Sequence, residues 1–167
     1  MLPSTPSAPH RTSSGHEMNV ESMYQEIILD HYRNPRGRGL IEAPEGESHQ
    51  VNPTCGDEVT VQVAMDREGH LHLGYEGQGC SISQASASVM AELAEGFDLA
   101  TAEAARAAFM EMMRSKGDAE PDEDILGDAV AFVGVAKYPA RIKCALLPWM
   151  ALQDALVKSG AMKEGEK

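Results

Sequence analysis

The sequence predicts an α+β domain in which a small antiparallel sheet of about three strands carries helices on one face. Three observations lead there. Strict period-two alternation is confined to residues 58–75, helical periodicity flanks it on both sides, and strands come early with helices after them. Two of the three cysteines stand directly before and directly after the alternating stretch, so a cluster of side chains is expected at one end of the sheet.

The elements follow in order. Residues 1–17 (MLPSTPSAPHRTSSGHE) are polar and rich in Pro and Ser, and read as a disordered tail. From Met18, Met23, Ile27, Ile28 and Tyr32 recur at helical spacing until Asn34-Pro35 ends the helix. Arg36 to His49 is rich in Gly, Pro and charge and reads as loop, with a third strand expected around His49 to Asn52. Val59, Val61, Val63 and Met65 alternate with Glu58, Thr60, Gln62 and Ala64. Asp66-Arg67-Glu68-Gly69 then turns the chain into Leu71, Leu73 and Tyr75, giving a hairpin with one apolar face. Four helical segments follow: Ser81–Glu95 closed by Gly96, Thr101–Lys116 closed by Gly117, Ile125–Val135, and Pro139–Lys158. Pro148 in the last of these predicts a kink or a break. The domain therefore runs from 18 to 159, with a charged tail at 160–167.

Composition narrows the function. The 167 residues carry 14 basic and 26 acidic side chains, a formal charge of −12, which disfavours nucleic-acid backbones and anionic membrane surfaces as partners. No apolar run approaches the roughly 18 residues a membrane-spanning helix needs, and the N-terminus lacks the apolar core of a secretory signal. A cytoplasmic location is the expectation, and there structural disulfides are disfavoured. With three cysteines, free thiols, metal binding and thiol chemistry remain.

Cys55 lies in NPTCGDE before the first hairpin strand and Cys80 in GYEGQGCSIS after the second, so antiparallel pairing brings both to the same end. Gly56 permits a sharp turn that aims Cys55 and Asp57 at one point, and Ser81 or Ser83 reads as the N-cap of the following helix. Cys144, in the last helix, reaches the same point if that helix crosses the sheet edge. Three thiolates and a carboxylate form a soft, tetrahedral set suited to zinc or an iron–sulfur cluster. The spacing contains no CxxC pair, and buried cysteines acting as small apolar side chains satisfy it equally well.

Four stretches, MYQEIILDHYRNPRGRG, NPTCGDEVTV, GQGCSISQASASVM and YPARIKCALLPW, resemble the IscU/SufU family of iron–sulfur cluster assembly proteins in matching order between Met23 and Trp149. Two features are similar to the SufU branch: Lys143 stands where IscU-like scaffolds carry a His, and the segment from Cys80 to Cys144 is longer. That resemblance implies Cys55, Asp57, Cys80 and Cys144 as zinc ligands. It implies Cys55 as the thiol that accepts persulfide sulfur from a SufS-type cysteine desulfurase, a pyridoxal-phosphate enzyme, with a partner histidine replacing Cys55 on zinc. It further implies sulfurtransferase activity, delivery to downstream iron–sulfur assembly proteins, and a role for Arg141 in engaging the desulfurase. The alternatives are a scaffold assembling a transient [2Fe–2S] cluster on the same ligands and a purely structural zinc domain. A neutral lysine would be needed for Lys143 to ligate, whereas histidine ligates as neutral imidazole.

Arg141 stands out independently. No acidic residue occurs from Ala129 to Gln153, and Lys137, Arg141 and Lys143 form a basic island. With Pro139 at the first helical position, Arg141 faces the positive end of the helix dipole, which disfavours it by roughly 0.3–1 kcal/mol. Other motifs have simpler readings. GYEGQG lacks the Lys-Ser/Thr of a phosphate loop and reads as a mobile hinge before Cys80. His70 and His72 fall on the polar side of their strand and read as solvated. His31 is expected to bond the C-terminal carbonyls of the first helix. Met90, Met110 and Met113 read as packing.

Overall fold

A computed structural model describes residues 7–163; the first six residues of the expected N-terminal tail and the last four of the C-terminal one lie outside the described residues. Helix α1 spans Ser7–Arg33 and so takes in part of the stretch whose composition reads as tail. Once the turns after Met18 are formed, adding residues N-terminally needs no new nucleus. Strands β1 (Gly46–Asn52), β2 (Asp57–Met65) and β3 (Leu71–Gln78) form one antiparallel sheet in the order β1-β2-β3. Helices α2 (Ser81–Ala94), α3 (Leu99–Arg114), the short α4 (Glu123–Leu126) and α5 (Pro139–Ser159) follow, with a 3₁₀ segment at Gly127–Lys137. The α+β expectation holds, including the third strand and the start of the last helix at Pro139.

The alternation read from the sequence sets the register. Val61 pairs with Tyr75 and Val63 with Leu73, and all four are buried against helices together with Val59 and Leu71. Helix α5 lies across β1 and β2, and its Ala151, Leu152, Ala155 and Leu156 are sealed from solvent. Gly46 lets β1 approach the helix so closely that a Cβ there would collide with the Ala155 carbonyl. Behind this layer, Trp149 is fully buried, stacks on Phe109 with ring centroids 4.7 Å apart, and donates its indole N–H to Ser86 Oγ at 3.0 Å. Ser86 in turn donates to the Ala145 carbonyl at 2.6 Å, joining α2 to the helix turn beside Cys144. Trp149→Ala should therefore cost about 3–5 kcal/mol, read as a lower urea midpoint at unchanged m-value.

Two sequence readings are made specific and one, the hinge, is corrected. Pro148 does not break α5, which continues to Ser159; Pro148 is itself buried among the core residues of the helix. The apolar run after Ile125 is a 3₁₀ segment beyond Gly127 and not one α-helix, with Val130, Phe132 and Val135 inward. Its apolar residues are dense enough to satisfy either helical period. GYEGQG is not a hinge: Gly74 and Gly77 sit inside β3, where a Cβ would strike the Gly39 carbonyl and the Glu58 carbonyl respectively. These glycines mark close backbone approach.

Candidate metal centre

The connection between β1 and β2 is residues 53–56. The Asn52 carbonyl accepts the N–H groups of Cys55 at 3.2 Å and Gly56 at 2.9 Å, and Gly56 takes φ 72°. This turn leaves Cys55 exposed at its tip and starts β2 with Asp57, which is fully buried. On the neighbouring strand, Gln78 pairs with Glu58, so Cys80 emerges beside Asp57. Gly79, at φ 143°, has no room for a side chain against the Asp57 carboxylate. The close approach lets the Cys80 N–H donate to Asp57 Oδ1 at 2.8 Å.

That bond corrects the expected helix cap. Cys80 itself occupies the N-cap position of α2, and Ser83 bonds back to the Cys80 carbonyl at 3.1 Å. A carboxylate 23 residues away thus satisfies a backbone donor at the helix entrance. With Oδ1 so engaged, Asp57 Oδ2 is turned toward the sulfur of Cys80, 3.7 Å away.

Cys144, near the start of α5, completes the group. Its sulfur is buried and lies 3.6 Å from Cys55 Sγ, and the ligand atoms of Cys55, Asp57 and Cys144 fall within 4.8 Å of one another. Zinc–sulfur bonds of about 2.3 Å in a tetrahedron separate sulfurs by about 3.8 Å, so the spacing suits one soft cation. Burial, then the neighbouring Asp57, Cys55 and Cys80, push the Cys144 thiol well above the usual thiol range. Ionising it beside a buried carboxylate requires a compensating positive charge, which a bound metal supplies. The donor chemistry fits zinc, and so do the distances among Cys55, Asp57 and Cys144; Cys80 stands 3.7 Å from Asp57 Oδ2 but outside that mutually close set.

The sequence also singled out Arg141, which is exposed. Its guanidinium lies 5.8 Å from the centroid of the Tyr138 ring, a cation–π contact worth about 0.5–1 kcal/mol that offsets its unfavourable place in the dipole. Arg141 and Lys137 border a groove of about 750 Å3 that also meets Tyr24, Ile28 and Ile82, two residues past Cys80. Lys143 is exposed.

The remaining candidates are structural. His31 is fully buried and does not serve the carbonyls of its own helix. Its Nδ1 meets Ser88 Oγ at 2.7 Å and its Nε2 meets Asp128 Oδ2 at 2.9 Å, tying α1 to α2 and to the 3₁₀ segment. His72, expected to be solvated, is held between Asp66 and Glu95 at 2.8 Å each, and these contacts raise its pKa. Met90 and Met113 are buried packing residues, as expected. Asn52 was not singled out by sequence reasoning; its side-chain amide points at Cys144 Sγ, 3.9 Å away.

An α+β domain with two thiols and a carboxylate converging at one sheet end, and a third thiol beside that carboxylate, defines a class of proteins that handle metal or sulfur through thiolates. The match to known proteins is specific: residues 23–145 match the NifU-like N-terminal domain, and the chain belongs to that family. It is 42% identical over 144 residues to the zinc-dependent sulfurtransferase SufU of Bacillus subtilis, covering 84% of this chain and 93% of that protein. It is 36% identical to the iron–sulfur cluster assembly scaffold protein IscU of Streptococcus pyogenes, covering 84% and 86%. Among solved structures, a SUF-system scaffold protein from Fervidobacterium islandicum superposes with a TM-score of 0.70 at 37% identity, covering 78% of this chain and 94% of that one. The N-terminal NifU-like protein of Brucella abortus gives 0.72 at 29% identity, covering 85% and 97%. The resemblance read from the cysteine motifs is thereby borne out. Among the described residues, no helix is long and apolar enough to cross a membrane.

Proposed function

We propose that this protein is a zinc-dependent sulfurtransferase of iron–sulfur cluster biosynthesis that takes persulfide sulfur from a SufS-type cysteine desulfurase onto Cys55, in the cytoplasm. The observation that carries this reading is the gradient of exposure across one cluster. Cys55 is exposed at a turn, Cys80 is half-buried, and Cys144 is buried 3.6 Å from Cys55. One sulfur is thus presented to a partner while the others are held behind it. Cys55, Asp57, Cys80 and Cys144 are the residues that would hold zinc. When bound, zinc supplies charge that keeps the thiols ionised and, having no redox chemistry, protects them from disulfide formation.

In the transfer, the Cys55 thiolate attacks the outer sulfur of the partner's cysteine persulfide. A new S–S bond forms on Cys55, the partner's S–S bond breaks, and its cysteine leaves as a thiolate that takes up a proton. Cys55, the least enclosed of the three, has the access this requires. Delivery onward to downstream iron–sulfur assembly proteins completes the role.

The second reading, a scaffold for a [2Fe–2S] cluster, has its support in the IscU relatives. Lys143 beside Cys144 favours transfer, because IscU-like scaffolds carry at this place a histidine, whose imidazole is a ready metal ligand, and this chain has none there. Protein purified without oxygen separates the two. Transfer predicts a colourless protein with one zinc that raises cysteine-to-alanine turnover by the desulfurase. A brown protein that passes intact clusters to an apo-acceptor would establish the scaffold instead. Within the transfer reading, Arg141→Ala should keep its zinc and its melting temperature yet fail to stimulate the desulfurase at saturating concentration. Normal stimulation would return Arg141 to an ordinary surface residue stacked on Tyr138.

A further inference from the structure

Asn52 is a buried polar residue, only 7% exposed. Its position is dictated locally. Pro53 restricts it to extended backbone, so β1 continues through it, and the strand alternation places it on the same face as Gly46 and Ser48. That face meets α5: Ser48 donates to Asp154 of α5 at 2.7 Å, and Asn52 Nδ2 approaches Cys144 Sγ of α5 at 3.9 Å. The Asn52 backbone carbonyl at the same time anchors the turn that carries Cys55. One residue therefore touches both the presented sulfur's loop and the buried sulfur.

The sulfur of Cys144 also meets the Ala140 carbonyl at 3.7 Å, which accepts from the thiol but repels a thiolate, in addition to Cys55 Sγ at 3.6 Å and the Asp57 and Cys80 side chains. Asn52 is the neighbour that donates: its side-chain amide N–H is aimed at the sulfur, and a bond of that kind to a metal-bound sulfur is charge-assisted. Donation withdraws electron density from sulfur and lowers its nucleophilicity. Among the described residues, no comparable side-chain amide is recorded against Cys55 or Cys80.

We propose that Asn52 is a positioning residue that quenches Cys144 and fixes it as the retained ligand, so that Cys55 and not Cys144 is the sulfur that reacts. This rests on the zinc-site reading above, but it is tested without the desulfurase. The probes are iodoacetamide alkylation of zinc-loaded full-length protein, mapped by mass spectrometry, and the thiolate-to-metal charge-transfer band of the cobalt-substituted protein. In the unmodified sequence Cys55 should alkylate first and Cys144 last. In Asn52→Leu and Asn52→Ala, whose turn-forming carbonyl is intact, Cys144 alkylation should rise roughly five- to tenfold relative to Cys55, the loss expected for one modest hydrogen bond. The charge-transfer band should move to longer wavelength at unchanged intensity, because the same number of thiolates has lost a donor that stabilised one sulfur's electrons. A merely structural role would change the band's intensity and leave its energy alone. Unchanged alkylation order and band position in both folded variants would overturn the assignment. Equal alkylation of all three cysteines in the unmodified zinc-loaded protein would remove the zinc-site reading and the Asn52 assignment with it. If Asn52→Leu does not fold, Asn52→Ala, which introduces no bulk, decides alone, and its failure to bind cobalt would count against a role limited to positioning.

Discussion

Cys144→Ser is expected to abolish stoichiometric zinc binding and to lower the melting temperature by roughly 10 °C. The size follows from linkage: a metal present at about a thousand times its dissociation constant stabilises by about 4 kcal/mol, and a domain of this size shifts by about 2–4 °C per kcal/mol. The substituted hydroxyl can still donate to the Ala140 carbonyl, so little of the loss comes from an orphaned polar group. The control is the unmodified protein stripped by chelator, whose melting temperature should coincide with that of the variant. Cys144→Ser with full zinc and an undiminished melting temperature would remove Cys144 from the ligand set. The thiol's pKa adds a pH signature. Burial and its neighbours raise it, so near neutral pH the metal-free protein holds that proton and releases it on binding. Zinc affinity should therefore fall as pH is lowered, and the fall should be shallower in Cys144→Ser if any binding survives.

Particular residues show what the sequence could and could not reveal. The sheet was legible because Val59, Val61 and Val63 alternate against polar neighbours, and a one-residue slip would turn all three outward. The convergence of Cys55, Asp57 and Cys80 was legible because all three lie at the ends of paired strands, where register determines proximity. Cys144 required the further assumption that α5 crosses the sheet edge, and the small residues Gly46 and Ala155 permit that crossing. The second role of Asp57, at the entrance of α2, was hidden because a cap supplied from another strand has no local signature, whereas Ser81 and Ser83 offered a familiar one. GYEGQG misled for a related reason. The same glycines serve a flexible loop and a strand pressed against its neighbours, and only the packing against the Gly39 and Glu58 carbonyls distinguishes them. His31 and Asn52 share this blindness: their partners lie 57, 97 and 92 residues away.

Cys55→Ser should have the sharpest functional effect with the smallest structural one. Serine at an exposed turn keeps the backbone bonds to the Asn52 carbonyl, so the fold and most of the thermal stability should survive. Serine is not ionised near neutral pH and cannot form a persulfide, so sulfur transfer to this protein should drop to background and stimulation of the desulfurase should vanish. The contrast with Cys144→Ser is the informative part. Removing the buried sulfur should cost metal and stability together, whereas removing the exposed one should cost chemistry while Asp57, Cys80 and Cys144 still hold zinc more weakly. Mass spectrometry after incubation with desulfurase and cysteine, under non-reducing conditions, should place one added sulfur on Cys55 in the unmodified protein and none on Cys80 or Cys144 in the variant. Added sulfur found chiefly on Cys80 would move the acceptor to the entrance of α2 and make Cys55 a retained ligand, reversing the order of exposure on which the transfer reading depends.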